Sequence, residues 1–259
     1  MCTLTWWSDQ SGDCEVFFNR DESKTREPAL PPCLHTDKGI AWLAPIDPRG
    51  GGTWLLVNQF GIIVCLLNWY DRDEEPIAPE GGFRSRGKLV TSLADIDSPA
   101  GFASRIREID ARDYPPFRLI GVFPGQRGKR ADVLAWEWCA TGRLKAIEPI
   151  MPLCSSSFRT RAVIEGRERM LRDWASEGNG ITPEKLWRFH HGEPVSGPAT
   201  APSSWSVRMN RPDAQTWSIS RVSVGREEIR FLYEAEPPDL EGRAESFPAR
   251  MKRVRPPTS

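Results

Sequence analysis

The sequence of 259 residues predicts a layered α+β fold, and two observations lead to that prediction. Strand patterns and helical patterns follow one another along the chain in the order strands, helices, strands, helices, strands. The run over residues 62–67 is apolar throughout, which is typical of a strand buried on both of its faces. Such a strand needs a layer on each side, so we expect sheets that are covered by helices.

The strands are predicted from short apolar or alternating runs and from the turns that separate them. A turn over residues 9–13 joins the first two strands, and we expect a loop rich in proline and charge over residues 23–38. The predicted strands are residues 3–7, 15–18, 40–43, 53–57, 62–67, 117–123, 133–138, 144–147, 203–209, 216–224 and 228–233.

The helices are predicted from apolar residues at the three- and four-residue spacing of an amphipathic helix. They are residues 86–96, 100–109, 163–174 and 183–190. The last of these has Thr182 as its N-cap and Pro183 in its first position. We expect one domain over residues 1–249 and a basic, flexible tail over residues 250–259.

Composition narrows the classes of function. Lys and Arg together number 35, as do Asp and Glu, so net charge gives no indication of a nucleic-acid partner or an acidic membrane. No apolar run is long enough for a membrane-spanning helix and no secretory signal pattern opens the chain, so we expect a cytoplasmic location. The six cysteines include no Cys-x-x-Cys pair, and we expect no disulfide framework, no metal site and no cofactor.

Cys2 is the candidate nucleophile. Initiator methionine is normally removed when a small residue follows it, so the mature chain is expected to begin at Cys2. A thiol and a free α-amine then share one residue, and the amine, with a pKa of about 7.7–8.0, can serve as a base near neutral pH. We expect Cys2 to be the one cysteine whose position gives it special chemistry.

Four features of the sequence resemble the NRDE family, whose members are similar to transport and Golgi organisation protein 2. They are Cys2, the run Asn19-Arg20-Asp21-Glu22, the run Gly51-Gly52-Thr53-Trp54, and Asn68 at the end of an apolar strand. That family resembles the N-terminal-nucleophile hydrolases, most closely the group of bile-salt hydrolase and penicillin V acylase. The resemblance implies a four-layer α-β-β-α sandwich in which Cys2 starts a central strand.

Three further residues are candidates for the site. Asp21 could hold the α-ammonium of Cys2, and Arg20 could favour the thiolate, and the resemblance implies the same roles. The alternative for both is a solvated surface turn. The side-chain amide of Asn68 could donate to an oxyanion, as the resemblance also implies, or it could cap a turn.

Two positions depart from the pattern of the resembling hydrolases. Where those enzymes carry a second active-site Asn, this chain has a run of serines, of which Ser156 is the best match. A hydroxyl donates a single hydrogen bond and has a shorter reach than an amide. Their late arginine corresponds to Arg208 or Arg211, and the sequence leaves that choice open.

From these features we expect an N-terminal cysteine-nucleophile, hydrolase-like protein that acts on a non-peptide amide bond through a thioester. The proposed catalytic set is Cys2, Arg20, Asp21, Asn68 and Ser156. The alternative is a non-catalytic binding or trafficking protein that uses the same pocket for haem or an acyl lipid. The expected partner is therefore a small molecule: an amide, an acyl lipid or haem.

Overall fold

Two antiparallel sheets lie face to face at the centre of the computed structural model, which describes residues 2–70, 77–140, 143–178, 180–198, 201–237 and 242–256. The strands in these residues are β1 (Cys2–Ser8), β2 (Cys14–Ser23), β3 (Leu30–Asp37), β4 (Ile40–Ile46), β5 (Leu55–Asn58), β6 (Ile63–Asn68), β7 (Phe117–Phe123), β8 (Asp132–Trp138), β9 (Lys145–Ile147), β10 (Leu153–Ser155), β11 (Ala214–Val224), β12 (Glu228–Ala235) and β13 (Glu245–Lys252). The first sheet has the order β10-β1-β2-β11-β12-β13, and the second runs in sequence from β3 to β9.

Helices cover the outer face of each sheet. They are α1 (Arg86–Thr91), α2 (Pro99–Arg107), α3 (Thr160–Ser176) and α4 (Pro183–His190). Helices α1 and α2 pack on the second sheet, whereas α3 and α4 pack on the first. The result is the four-layer α-β-β-α sandwich that the family resemblance implies.

Strand β6 shows why the layers form. Its side chains alternate between two apolar cores, as the pleat of a strand requires. Ile63, Cys65 and Leu67 pack in the core between the two sheets. Val64 and Leu66 pack in the core between the second sheet and its helices. The prediction that this strand is buried on both faces is confirmed.

Helix α4 has the predicted bounds and the predicted start. The Thr182 hydroxyl accepts a hydrogen bond from the backbone N–H of Lys185 at 3.3 Å, and Pro183 occupies the first turn, where its missing N–H costs nothing. Helix α1 is shorter than predicted and ends at Thr91, although Leu93 and Ile96 of the predicted segment are still buried.

The strands at the sheet edges differ most from the prediction. Residues 30–37, predicted as loop, form the edge strand β3, which accommodates Pro31 and Pro32 next to an irregularity in its pairing with β4. At the other sheet's edge, β13 pairs with β12 and extends to Lys252, three residues into the segment predicted as a flexible tail. Both strands are largely exposed, so they lack the apolar signal that marks the central strands.

Two other segments also depart from the prediction. Residues 203–209 are predicted as a strand but form turns, stabilised in part by hydrogen bonds between Ser203 and Ser206. Strand β10 was not predicted, because its three residues are too few to show a period. This short strand is the one that pairs with the beginning of β1.

Candidate active site at the start of the first strand

Cys2 begins β1, which lies between β10 and β2 in the first sheet. Its cross-strand partners are Ser155 and Arg20. Directly opposed residues of antiparallel strands project from the same face, so these three side chains form a row across the sheet. The next inward residue of β1, Leu4, packs in the core between the sheets, and Cys2 itself is only 8% exposed. The row therefore faces the second sheet.

Asp21 lies immediately beyond Cys2 in the strand register, because its neighbour Arg20 is the residue paired with Cys2. In an antiparallel pair, this is the side on which the backbone nitrogen of residue 2 lies. The Asp21 carboxylate accepts a hydrogen bond from the Thr216 hydroxyl at 2.7 Å, and its Oδ2 lies 3.6 Å from Nη2 of Arg167. Burial raises the pKa of Asp21, and the Arg167 guanidinium opposes that effect.

Arg167 is a buried cation that sequence reasoning missed. Its Nη1 donates to the Thr3 hydroxyl at 2.5 Å and its Nη2 donates to the Ser206 carbonyl at 2.7 Å. The signal that could have identified it is a charged residue within the buried stripe of α3. That stripe consists of Val163, Arg167, Leu171 and Trp174.

Arg20 is held against an aromatic face. Its guanidinium carbon lies 4.4 Å from the centroid of the Trp54 ring, and its Nη2 lies 3.9 Å from Oε2 of Glu22. Nη1 of Arg20 is buried and has no hydrogen-bond partner in the described part of the chain. The surface-turn alternative for Arg20 and Asp21 is wrong, since the two residues are only 5% and 2% exposed.

The Gly-Gly-Thr-Trp run positions Trp54 through a close backbone contact. A Cβ atom on Gly52 would lie 2.3 Å from the carbonyl carbon of Gly87 in α1, so no larger residue fits there. The backbone N–H of Thr53 also donates to the Gly87 carbonyl at 3.2 Å. The backbone just before Trp54 is therefore fixed against helix α1, while the Trp54 ring packs between the sheets and against Arg20.

The Cys2 thiol is protonated near neutral pH in this environment. Burial raises its pKa to about 11, and the Asp21 carboxylate adds to that effect. Arg20 lowers the pKa, but its influence is far smaller than that of burial. A nucleophilic Cys2 consequently needs a base to accept its proton.

Asn68 ends β6, on the second sheet, and its amide donates to the phenol oxygen of Tyr70 at 3.2 Å. Burial raises the pKa of Tyr70, and among the smaller influences on this phenol are Cys2 and Glu22. Cys2 therefore influences the phenol that Asn68 contacts. No sequence pattern indicates a role for Tyr70.

The serines after β10 have different environments. Ser155 is the residue opposite Cys2, and its hydroxyl is buried without a hydrogen-bond partner among the described residues. The Ser156 hydroxyl donates to the Phe158 carbonyl at 2.6 Å and accepts from the Phe158 N–H at 3.1 Å. The structure therefore brings Ser155 to Cys2 more directly than Ser156, whose catalytic role stays a prediction.

Both candidates for the late arginine are paired with carboxylates. Arg208 makes two hydrogen bonds to Glu236, at 3.0 and 2.6 Å. Arg211 makes two to Asp213, each at 2.6 Å. The arginine that contacts Asp21 is instead Arg167, which neither candidate anticipates.

Asn19 links the motif to the outer helices. Its amide donates to the carbonyls of His190 and Val207, at 2.8 and 3.0 Å, and its oxygen lies 2.6 Å from Nδ1 of His190. With the proton on Nδ1, Nε2 of His190 accepts from the Thr5 hydroxyl at 2.8 Å. Burial lowers the pKa of His190 well below its usual value, so the imidazole is neutral. Asn19 thereby ties β2 to α4, beneath the site.

Neither a cluster of metal-ligating side chains nor a membrane-spanning helix occurs in the described residues. No group of three or more His, Cys, Asp or Glu side chains in them is placed to hold a metal ion. No helix in the same residues combines the length and the apolar character that spanning a bilayer requires.

The model of the family Transport and Golgi organisation 2 matches residues 1–179, which is more than half of the chain and includes Cys2, Asp21 and Asn68. The chain belongs to this family. It is the NRDE family, which the sequence motifs indicate. No curated protein shows significant sequence similarity to the chain.

Solved structures share the fold. A mutant C2A conjugated bile acid hydrolase from Clostridium perfringens is 10% identical with a TM-score of 0.52, and the match covers 95% of this chain and 92% of that one. The penicillin V acylase from Agrobacterium tumefaciens is 10% identical with a TM-score of 0.50, over 90% of this chain and 82% of that one. At this identity the likeness establishes the fold, which is of the N-terminal-nucleophile hydrolase type.

Proposed function

We propose that this member of the Transport and Golgi organisation 2 family is a cysteine hydrolase that cleaves a non-peptide carbon–nitrogen amide bond through a thioester. The observation that carries the proposal is the position of Cys2. It opens a central strand, and the buried Asp21 carboxylate lies on the side of its backbone nitrogen. The function requires removal of Met1, so that this nitrogen becomes a free amine.

The proton balance supports an amine as the base. Burial raises the pKa of the Cys2 thiol and so favours a protonated Sγ, whereas a free α-amine has a pKa near neutrality. As Sγ attacks the substrate carbonyl, the amine accepts the thiol proton. The same proton then passes to the leaving nitrogen, the C–N bond breaks and a thioester forms. Water attacks the thioester, releases the carboxylic acid and restores the thiol.

Buried charges support a role for Asp21 in this step. An ammonium at residue 2 would be the second cation next to Asp21, after Arg167, whose Nη2 lies 3.6 Å away. The carboxylate stabilises the protonated amine at the moment when the amine holds the thiol proton.

Two donors are candidates for the oxyanion. The side-chain amide of Asn68 carries two N–H bonds. One of them is directed to the phenol oxygen of Tyr70, with Nδ2 and the oxygen 3.2 Å apart, and the other is the candidate donor to the oxyanion. Arg20 offers its buried Nη1, which lacks a partner in the described residues. Removing one such donor typically costs on the order of 10²–10³ in kcat.

A carrier of haem or an acyl lipid is the second candidate function. The specific observation in its favour is the same Arg20, whose Nη1 has no partner in the described residues and whose guanidinium carbon lies 4.4 Å from the centroid of the Trp54 ring. A buried cation beside an aromatic wall suits the carboxylate of an acyl chain or of a haem propionate. We also propose a cytoplasmic location. We propose a small-molecule rather than a nucleic-acid partner, because the numbers of acidic and basic residues are equal at 35.

Intact mass measured after incubation with a panel of N-acyl amides tests the proposal. Protein that has lost Met1 should gain an acyl group that hydroxylamine removes, and peptide mapping should place it on Cys2. Cys2→Ala should abolish the adduct. Cys154→Ala is the matched control, because it removes another buried thiol from the adjacent strand and should leave the adduct in place. Saturable ligand uptake without an adduct or turnover would favour the carrier.

A further inference from the structure

A second cysteine, outside the N-terminal motif, has an imidazole beside it. Cys33 and His35 are two residues apart on the edge strand β3, so their side chains lie on the same face. Sγ of Cys33 lies 3.2 Å from Nε2 of His35, within hydrogen-bonding distance for sulfur. Cys33 is also the one exposed cysteine of the six.

The imidazole is oriented by its surroundings. The His35 ring stacks on Trp42, its cross-strand partner, with ring centroids 4.1 Å apart and planes at 19°. Burial lowers the His35 pKa, and the nearby Ala44 backbone opposes that effect. The ring is therefore neutral near pH 7, and with its proton on Nδ1 it presents the lone pair of Nε2 to the Cys33 thiol. A nucleophile, a base and a group that orients the base are the parts of an activated thiol.

We propose that Cys33 is a covalent modification site that reacts with low-molecular-weight disulfides, with His35 as its general base. Sγ attacks one sulfur of the disulfide while its proton moves to Nε2 of His35. The S–S bond of the disulfide breaks and a new S–S bond forms to Cys33. The departing thiolate takes the proton back from His35. The products are a mixed disulfide on Cys33 and one low-molecular-weight thiol.

The other cysteines lack this arrangement. Four are buried, and burial raises the pKa of Cys2 to about 11 and that of Cys14 to about 12. The half-buried Cys139 donates to Glu137 at 3.1 Å, and burial together with this carboxylate raises its pKa to about 11. Cys139 therefore serves as an internal control, being a partly accessible thiol whose neighbour disfavours the thiolate.

The experiment follows mixed-disulfide formation with oxidised glutathione at pH 7, by intact mass and peptide mapping over time. Cys33 should react about tenfold or more faster than Cys139, since a positioned general base typically contributes 10²–10⁴. His35→Phe keeps a ring to stack on Trp42 but removes the base, and it should reduce the Cys33 rate at least about fivefold. A thiol reductant should reverse the modification.

Two controls make the result decisive. The melting temperature of His35→Phe should match that of the parent, so that a slower reaction reports chemistry rather than altered folding. The Cys139 rate in the same variant should be unchanged. A Cys33 rate that equals the Cys139 rate in the parent, or one that His35→Phe leaves unaltered, would overturn the proposal. None of these measurements depends on hydrolase activity at Cys2.

Discussion

Replacing Arg167 by Leu should destabilise the fold strongly, because Arg167 is the cation of a fully buried charge pair. The Arg167 and Asp21 side chains are both 0% exposed, with Nη2 of Arg167 3.6 Å from Oδ2 of Asp21. The substitution also removes the hydrogen bonds to Thr3 and Ser206. Breaking a buried pair by removing one partner costs about 3–5 kcal/mol, since the remaining charge stays buried. For a domain of this size, that corresponds to a decrease in melting temperature of roughly 6–20 °C.

Urea unfolding of a small variant set measures this cost. Asp21→Asn combined with Arg167→Leu removes both charges. The double variant should therefore lose about 1–3 kcal/mol less free energy of unfolding than the two single variants lose in sum. The gap between the parent and Arg167→Leu should narrow on acidification, because Asp21 then takes up a proton and no longer leaves a buried charge unpaired. Arg112→Leu, which removes the exposed pair with Asp110, should not change the melting temperature.

Two results would refute the reasoning. One is a loss below about 1 kcal/mol for Arg167→Leu, which is far less than a buried unpaired carboxylate should cost. The other is a double variant whose loss equals the sum of the single losses. Either result would mean that the Asp21 carboxylate does not depend on Arg167 for its stability in the buried site.

Three further predictions concern the network and the proposed chemistry. Burial lowers the pKa of His190, so below about pH 6.5 the unfolded chain binds a proton at His190 that the folded protein does not bind. The free energy of unfolding should therefore fall by about 1.4 kcal/mol for each unit by which the pH is lowered in that range. Urea unfolding at pH 7, 6 and 5 should show this slope in the parent but not in His190→Asn. Equal slopes would contradict the neutral, buried imidazole. Asn68→Ala should lower kcat on the order of 10²–10³ with near-normal binding, and a loss of binding without that loss of kcat would favour the carrier. Mass spectrometry of the N-terminus should show that Met1 is absent, whereas retained Met1 would exclude a free amine at Cys2.

The sequence predicts the centre of the fold better than its edges. Strand β6 and helix α4 could be predicted because each carries a complete local pattern: a continuous apolar run in one, and a capping threonine followed by proline in the other. Edge strands β3 and β13 expose most of their residues, so no apolar pattern distinguishes them from loops. Their pairing depends on a neighbour that another part of the chain supplies.

By itself the sequence determined the family, the layered fold and the candidate nucleophile with its Arg20-Asp21 neighbours, because these depend on short runs of adjacent residues. Only the tertiary structure decided what surrounds them. Arg167 and Thr216 reach Asp21 from a distant helix and strand, and Ser155 faces Cys2 from a strand of three residues. Contacts between distant segments leave no local period in the sequence, and the cost of burying a charge depends on which partners the fold brings to it.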